Sequence, residues 1–459
     1  MRILWLCNFM LPLVAKHLQL EATNKEGWVS GLADAVLKRQ DENAITLAVA
    51  FPMPGSLQRD KEDIYEELLT VDGKELACYG FYENTATPHV YDELLEGRLS
   101  KIIEAFRPDI VHCFGTEYPH TLAMCKVFPD KKRILIGIQG LCQVYANAYF
   151  ANLPQKVVYD VTLRDFLKKD SLIEQQQKFA MRGIMEVEAI RLAGNVTGRT
   201  DWDKHYTQMW NPKAVYHKMN ETLRPEFYTG SWEREQCIPH SIFVSQGDYP
   251  IKGLHYLLSA LPVIRAKYPD VKVFVAGASS VNYKSLKDKL KISAYGRYLR
   301  HLIKSMHLQP HLEFVGRLQA QEMKQQYLKS SLFVCCSSIE NSPNSLGEAM
   351  LLGMPCVSAN VGGISSIFED KEDGLLYQGY TVNKKIENSE NNKRDFIKIQ
   401  SEDYENIVNN LAKTILEIWE NEEKILQYCK NARNHAKRTH NSEENYRKMT
   451  EIYAKVLLG

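Results

Sequence analysis

Residues 332–363 read LFVCCSSIENSPNSLGEAMLLGMPCVSANVGG. A short apolar run, Leu332–Ser337, passes into a polar loop, and a helix opens behind it. Two carboxylates, Glu340 and Glu348, flank that loop with seven residues between them. Strand, loop and helix in succession make a βα unit, and open α/β sheets dock their ligands in loops at the carboxyl ends of strands. The helix N-terminus offers unpaired N–H groups that suit phosphate. Carboxylates beside a diphosphate need a different task. A carboxylate is acceptor-only and holds a vicinal diol with both oxygens. The pattern points to a nucleotide-linked sugar, with diphosphate on the helix and hydroxyls on the acids. A plainer reading fits the same letters: Ser345-Leu346-Gly347-Glu348 spells a capping box with Ser345 as N-cap, and Glu340 suits a solvated loop acid.

The βα pattern recurs on both sides of this stretch. Strand candidates in the first half are Ile3–Cys7, Ile45–Phe51, Ile110–Phe114 and Ile134–Ile138, with helices such as Val29–Arg39 and Leu94–Phe106 between them. The second half adds Ser241–Gln246, Val271–Ala276, Leu312–Val315 and Cys356–Ala359. In the helix expected over Gly253–Lys267, Leu254, Leu257, Leu258, Leu261 and Ile264 share one face. Alternating strands and helices imply parallel sheets, and 459 residues exceed one ordinary domain. We therefore expect an α/β chain of two doubly wound, Rossmann-like domains facing a central cleft. Turn residues and the lack of a long period between Tyr216 and His240 put the boundary there, giving domains 1–220 and 221–440. The terminal helix, within 441–459, is expected to return to the first domain. Val382–Asp403 reads as a polar surface insertion.

Lys and Arg total 57 against 56 acids, a net charge of +1, which argues against nucleic acid as a partner. The ten cysteines form no CxxC pair, and several lie inside apolar runs. That is the pattern of reduced, buried thiols in a cytoplasmic protein. Asn8 and Pro12 interrupt the apolar N-terminal run, so Arg2–Cys7 reads as a buried strand rather than a signal peptide. No stretch has the roughly 18 apolar residues of a membrane helix.

With Pro343, Gly353-Met354-Pro355, Gly362-Gly363, EDGLLY (372–377) and YPIKGLHYLLSAL (249–261) added to the paired acids, the chain resembles the retaining, nucleotide-sugar-dependent glycosyltransferases of family 4, which have the GT-B architecture. The resemblance implies that Glu340 contacts hydroxyls of the donor sugar and that Glu348 binds the ribose. Amides near Asn344 and Ser345 would face the diphosphate. Lys252 would neutralise the departing diphosphate. A lysine at a helix N-terminus opposes the macrodipole, so its place there itself favours a functional task. Gly27 matches the second glycine of the family's Gly-Gly loop, with Glu26 in place of the first. His112 matches a histidine at a strand end, read either as an acceptor-side group or as a satisfied core imidazole.

Three departures stand out. Gly247 occupies the place of a family Arg, Gln139-Gly140 replaces a His-Gly, and Ser365-Ser366 replaces a Pro-Glu. Gln139 is able to hydrogen-bond a sugar hydroxyl but not to carry a proton. Arg199 is the candidate replacement cation, with a salt-bridged arginine as the competing view. Asp201-Trp202-Asp203 mimics a metal-binding D-x-D but three letters match too easily by chance. The family works without a divalent ion, so no metal or cofactor is expected and the nucleotide sugar is a co-substrate.

The activity implied is transfer of a sugar to an acceptor hydroxyl with retention, in polysaccharide or glycoconjugate biosynthesis. The acceptor, a saccharide or lipid-linked saccharide, is expected mainly on the first domain. Aromatic and basic residues in Tyr145–Phe179 suit a peripheral contact at the cytoplasmic face of a membrane. Two alternatives stay open: an inactive nucleotide-sugar binder or partner subunit, and a phosphorylase or epimerase of the same architecture.

Overall fold

Alternate residues of the first strand go to opposite faces of a sheet: Ile3, Trp5 and Cys7 join one apolar core, Leu4 and Leu6 another. A strand buried on both faces is the mark of a parallel sheet covered by helices on each side. The computed structural model describes all residues except 21–26, 40, 41, 43, 54–62, 72, 279, 280, 282–289 and 382–392, and no side chain of 27, 28 or 393–401.

The first sheet contains β1 (Arg2–Cys7), β2 (Thr46–Pro52), β3 (Tyr65–Val71), β4 (Lys74–Phe81), β5 (Ile110–Phe114), β6 (Ile134–Gly137), β7 (Asn195–Gly198) and β8 (Val215–Lys218). Its order is β3-β4-β2-β1-β5-β6-β7-β8. All pairs are parallel except the β3–β4 hairpin. The second sheet contains β9 (Ile238–Val244), β10 (Lys272–Ala276), β11 (Leu312–Gly316), β12 (Ser330–Cys335), β13 (Cys356–Asn360) and β14 (Leu375–Gln378). It is parallel throughout, in the order β11-β10-β9-β12-β13-β14.

Internal contacts divide the chain into two units. One comprises Met1–Val144, Lys178–Arg224 and Thr439–Gly459; the other comprises Tyr145–Gln177 and Pro225–Arg438. The return of Tyr145–Gln177 to the second unit has a clear cause. The Ala151 carbonyl accepts from the Tyr256 hydroxyl at 2.7 Å and lies 2.8 Å from His255 Nε2, both on the helix Leu254–Lys267. The sequence reading placed this segment inside 1–220, because such long-range polar contacts leave no periodic signal.

Most strand and helix expectations appear within a residue or two, and Ile110–Phe114 and Leu94–Phe106 coincide with the observed elements. The hairpin β3–β4 and strands β8 and β14 have no counterpart among the expected elements. Val382–Asp403 needs correction. Its first residues lie outside the described ones, but a helix, Lys393–Glu420, covers the rest. Apolar residues beyond 403, among them Leu411 and Ile415, give that helix a buried face, which a window ending at Asp403 misses.

The terminal helix Ser442–Leu458 packs Tyr446, Met449, Ile452 and Tyr453 into the core with Ile3 and Trp5. Each such side chain contributes about 1.5–3 kcal/mol by leaving water. A polar knot fixes the register: Trp5 Nε1 donates to the Tyr453 hydroxyl at 2.8 Å, and His112 Nδ1 lies 2.8 Å from the same oxygen. Tyr453→Phe should therefore lower stability by about 1–3 kcal/mol, by leaving two buried nitrogens unpaired. Urea unfolding reads this directly; an unchanged midpoint would mean that apolar packing alone seats the helix.

Candidate functional site

In the second sheet the chain builds outward from β9 to β10 and β11 on one side, and from β12 to β13 and β14 on the other. The direction reverses between β9 and β12. In open α/β sheets the connections on the two sides of such a reversal leave to opposite faces, and the crevice at the carboxyl ends of the two strands is the usual ligand position. Lys252 follows β9 and Glu340 follows β12, and they meet in this crevice with Lys252 Nζ 2.6 Å from Glu340 Oε1. Ser337 donates to the same oxygen at 2.7 Å. Glu340 Oε2 takes no hydrogen bond from the described residues.

Backbone contacts fix that meeting. Ser338 N–H donates to the Ile251 carbonyl at 2.8 Å, and the Cys336 thiol lies 3.4 Å from the Lys252 carbonyl oxygen. Gly253, with φ +70°, passes so close that a Cβ there would sit 1.8 Å from the Cys336 carbonyl oxygen. On the far flank Gly363 N–H donates to the Glu340 carbonyl at 3.0 Å. A Cβ on Gly362, whose φ is +56°, would lie 1.9 Å from that carbonyl oxygen. The glycines beside Lys252 and after β13 are thus the condition for bringing acid and amine together.

The electrostatics follow. Burial pulls the Lys252 ammonium down, but the Glu340 carboxylate beside it outweighs this and holds it well above its ordinary value. Lys252 is a fixed cation. The Tyr145 hydroxyl accepts the Asn341 N–H at 3.2 Å, and burial, then the nearby Glu340 charge, push its phenol up. Gly247, where the family Arg was missing, packs against Leu254: a Cβ would meet the Leu254 side chain at 2.6 Å. A longer side chain there would have to displace the Leu254 and Val275 side chains.

The helix Asn344–Leu352 has Pro343 as its N-cap and no side-chain cap. The capping box expected from Ser345 and Glu348 is therefore not formed: the helix starts two residues earlier than the pattern suggested, and both residues lie inside it. Glu348 is buried. Asn344 and Ser345 form the first turn, whose amides have no partner within a helix. The Tyr327 hydroxyl holds the Ser345 carbonyl at 2.8 Å.

The first sheet also reverses direction, between β1 and β5. Asn8 follows β1 and Glu117 follows β5; Asn8 Nδ2 donates to Glu117 Oε2 at 3.1 Å. Behind them His120 bridges Asn8 Oδ1 at 3.1 Å and Glu83 Oε2 at 2.7 Å. A Cβ on Gly115, with φ +104°, would lie 2.3 Å from Glu117 Oε2. This chain of polar groups was not singled out from the sequence. Its signal was available: Asn8 directly after one buried strand, and GTEYPH (115–120), with its glycine, directly after another.

The other candidates of the first unit have different surroundings. Arg199 is buried, paired with Glu221, and donates to the carbonyls of Ile138 at 3.2 Å and Gln139 at 3.0 Å. Its charge is matched by Glu221 in this structure and its donors hold the Gln139 loop, the salt-bridged arrangement that stood as the competing view. Asp203 accepts the N–H groups of Arg199 and Thr200 and caps the next helix. Gly27 opens the helix Gly27–Lys38, while Glu26 lies outside the described residues. His112 is fully buried between Trp5 and Phe114, and burial pushes its imidazole down to about 3. It is a core group, not an acceptor-side one.

Comparison with known proteins bears on the fold and on family likeness. Residues 239–414 match the family described as glycosyl transferases group 1. YtcC of Bacillus subtilis is 25% identical over 296 residues, 64% of this chain and 65% of that protein. A phosphatidyl-myo-inositol mannosyltransferase of Propionibacterium freudenreichii is 28% identical over 213 residues, 43% of this chain and 49% of the relative. The chain thus matches between about half and two thirds of these relatives' lengths. Among solved structures, Anabaena Alr3699/HepE in complex with UDP superposes with a TM-score of 0.61 at 13% identity, covering 99% of this chain and 100% of that one. The fold is GT-B.

Two outcomes follow. Gly253→Ala places a side chain at positive φ, which alone costs about 1–3 kcal/mol, and collides with Cys336. The variant should melt lower than wild type and lose nucleotide binding; wild-type affinity would show that the two loops need no such close approach. For His112, the folded value of about 3 lies below the unfolded one near 6.5. The neutral form favours the fold, so its contribution is present above pH 6.5 and is lost as pH falls towards 3. Between those limits wild type should lose stability faster than His112→Asn by up to about 1.4 kcal/mol per pH unit, measured by urea unfolding at stepped pH. Parallel curves would contradict the buried neutral imidazole.

Proposed function

We propose that this chain, a GT-B protein whose residues 239–414 match the group 1 glycosyl transferases, moves a sugar from a nucleoside-diphosphate donor to an acceptor hydroxyl with the anomeric configuration retained. The observation that carries the reading is the Lys252–Glu340 pair at the reversal point of the second sheet, with Oε2 of the acid left for a ligand. The UDP held by the structural relative supports a nucleotide donor.

In this mechanism the diphosphate lies against the first turn of Asn344–Leu352 and draws the Lys252 ammonium away from Glu340. Glu340, relieved of its cation, orients the sugar through hydroxyls that donate to its two oxygens. Glu348 receives the ribose. As the glycosidic bond breaks, negative charge grows on the departing diphosphate, and a fixed cation aimed at it lowers the barrier. The leaving phosphate itself takes the acceptor proton on the same face, which accounts for retention without a protein base. Neutralisation falls to Lys252 and the helix amides, so the rate should withstand a chelator. Asn8 and Glu117 are the hydroxyl-binding groups we assign to the acceptor on the first unit, a saccharide or lipid-linked saccharide of a glycoconjugate pathway. The phosphatidyl-myo-inositol mannosyltransferase among the relatives supports an acceptor of that class.

The test is turnover against UDP-, GDP- and ADP-sugars with and without saccharide acceptors. Wild type should release nucleoside diphosphate from one donor class. Lys252→Ala should fall by about a hundredfold or more, the scale of a lost transition-state contact, and Glu340→Ala should fall with it. A wild type that binds nucleotide yet turns over no donor would make the chain a binding protein instead. An unchanged rate in Lys252→Ala would remove that residue from the chemistry.

A further inference from the structure

One surface of the second unit is built inside out. Thr162 and Asp165 form a capping box that starts the short helix Leu163–Lys168. On an ordinary surface helix the acid faces water and the apolar residues face the core. Here Asp165 is 1% exposed, while Phe166 and Leu167 are 72% and 71% exposed. Leu163, and Tyr159 and Val161 just before it, are exposed as well. The arrangement is held firmly. Asp165 Oδ2 accepts the Ala294 N–H at 2.8 Å at the start of the helix Ala294–Ser305, and Arg164 donates to Oδ1 at 2.9 Å. Below them Val157 and Val158 are buried. Five large apolar side chains within nine residues therefore stand in water on a fixed frame. Contiguous apolar surface of this kind marks an interaction site.

Charge selects the partner. Each acid of the segment is already engaged: Asp160 with Arg297, Asp170 with Arg164 at 2.8 Å, and Asp165 in the interior. Lys156, Lys168 and Lys169 stand exposed around the apolar residues. The exposed apolar residues are thus bracketed along the chain by exposed lysines. We infer that Tyr159–Lys169 docks on a lipid surface carrying negative charge, with Phe166, Leu167 and Leu163 entering the headgroup boundary and the lysines meeting lipid phosphates. A second copy of the chain is a poorer fit, since a two-fold contact sets the same lysines against one another. The inference stands apart from the proposed transfer reaction.

Flotation of the full chain with vesicles tests it. Wild type should float with vesicles of equal parts phosphatidylcholine and phosphatidylglycerol, and about tenfold less with phosphatidylcholine alone or at high salt. Phe166→Ser/Leu167→Ser and Lys156→Glu/Lys168→Glu should each lose binding by about tenfold with unchanged melting temperatures, as expected of exposed positions. Failure of wild type to float with either vesicle would overturn the inference. So would variants that float like wild type, or a wild-type dimer in light scattering that Phe166→Ser/Leu167→Ser converts to monomer.

Discussion

A half-buried lysine and a buried glutamate, one after each of two neighbouring strands, meet at 2.6 Å where the second sheet changes direction. Neither charge is stable there without the other, because removing one partner leaves an uncompensated charge away from water. In the resting protein they neutralise each other. A ligand that replaces both partners at once, an anion for the lysine and hydroxyl donors for the carboxylate, releases the pair without leaving either charge exposed to a low-dielectric wall. A sugar joined to a diphosphate has those two features at adjacent positions. In the proposed function the pairing acts as a filter on ligand chemistry as well as a resting state.

The backbone around the pair is spent on keeping it in place. Gly253 and Gly362 lie on opposite flanks, each in a conformation and at a distance that leave no room for a side chain. Ser338 ties one loop to the other through Ile251. The first unit repeats the logic with different letters: Gly115 makes room for Glu117 and Asn8, and His120 with Glu83 holds Asn8 from behind. In both units the polar groups stand at the carboxyl ends of the two strands where the sheet reverses. Topology determines where the groups converge, and the loops determine what they are.

How much of this was legible in the sequence varied with the range of the interaction. Buried strands such as Ile110–Phe114 announce themselves as unbroken apolar runs, and the helix over 254–267 through its spacing of leucines. Lys252 and Glu340 were marked by the glycines and prolines around them, since close backbone approach restricts residue choice. The capping box at Ser345 failed because Pro343 starts the helix earlier, so a local pattern lost to a neighbouring one. The two views of Arg199 are not separable in sequence, because its partner, Glu221, is remote from any motif, and a guanidinium looks the same whether or not a carboxylate awaits it. Tyr145–Gln177 joins the second unit in part through a carbonyl at Ala151, a group every residue carries. The Asn8–Glu117 cluster was missed for a similar reason: its members come from three separate strand ends and only meet once the sheet order is known.

The most direct measurement of the central claim is calorimetric titration of nucleoside diphosphates and the corresponding nucleotide sugars into wild type, Lys252→Ala and Glu340→Ala. The account predicts a separable pattern for the donor that binds. Loss of Lys252 should weaken diphosphate and nucleotide sugar alike, while loss of Glu340 should abolish the extra affinity that the sugar brings and spare the diphosphate. Wild-type affinities for both ligands in both variants would contradict it.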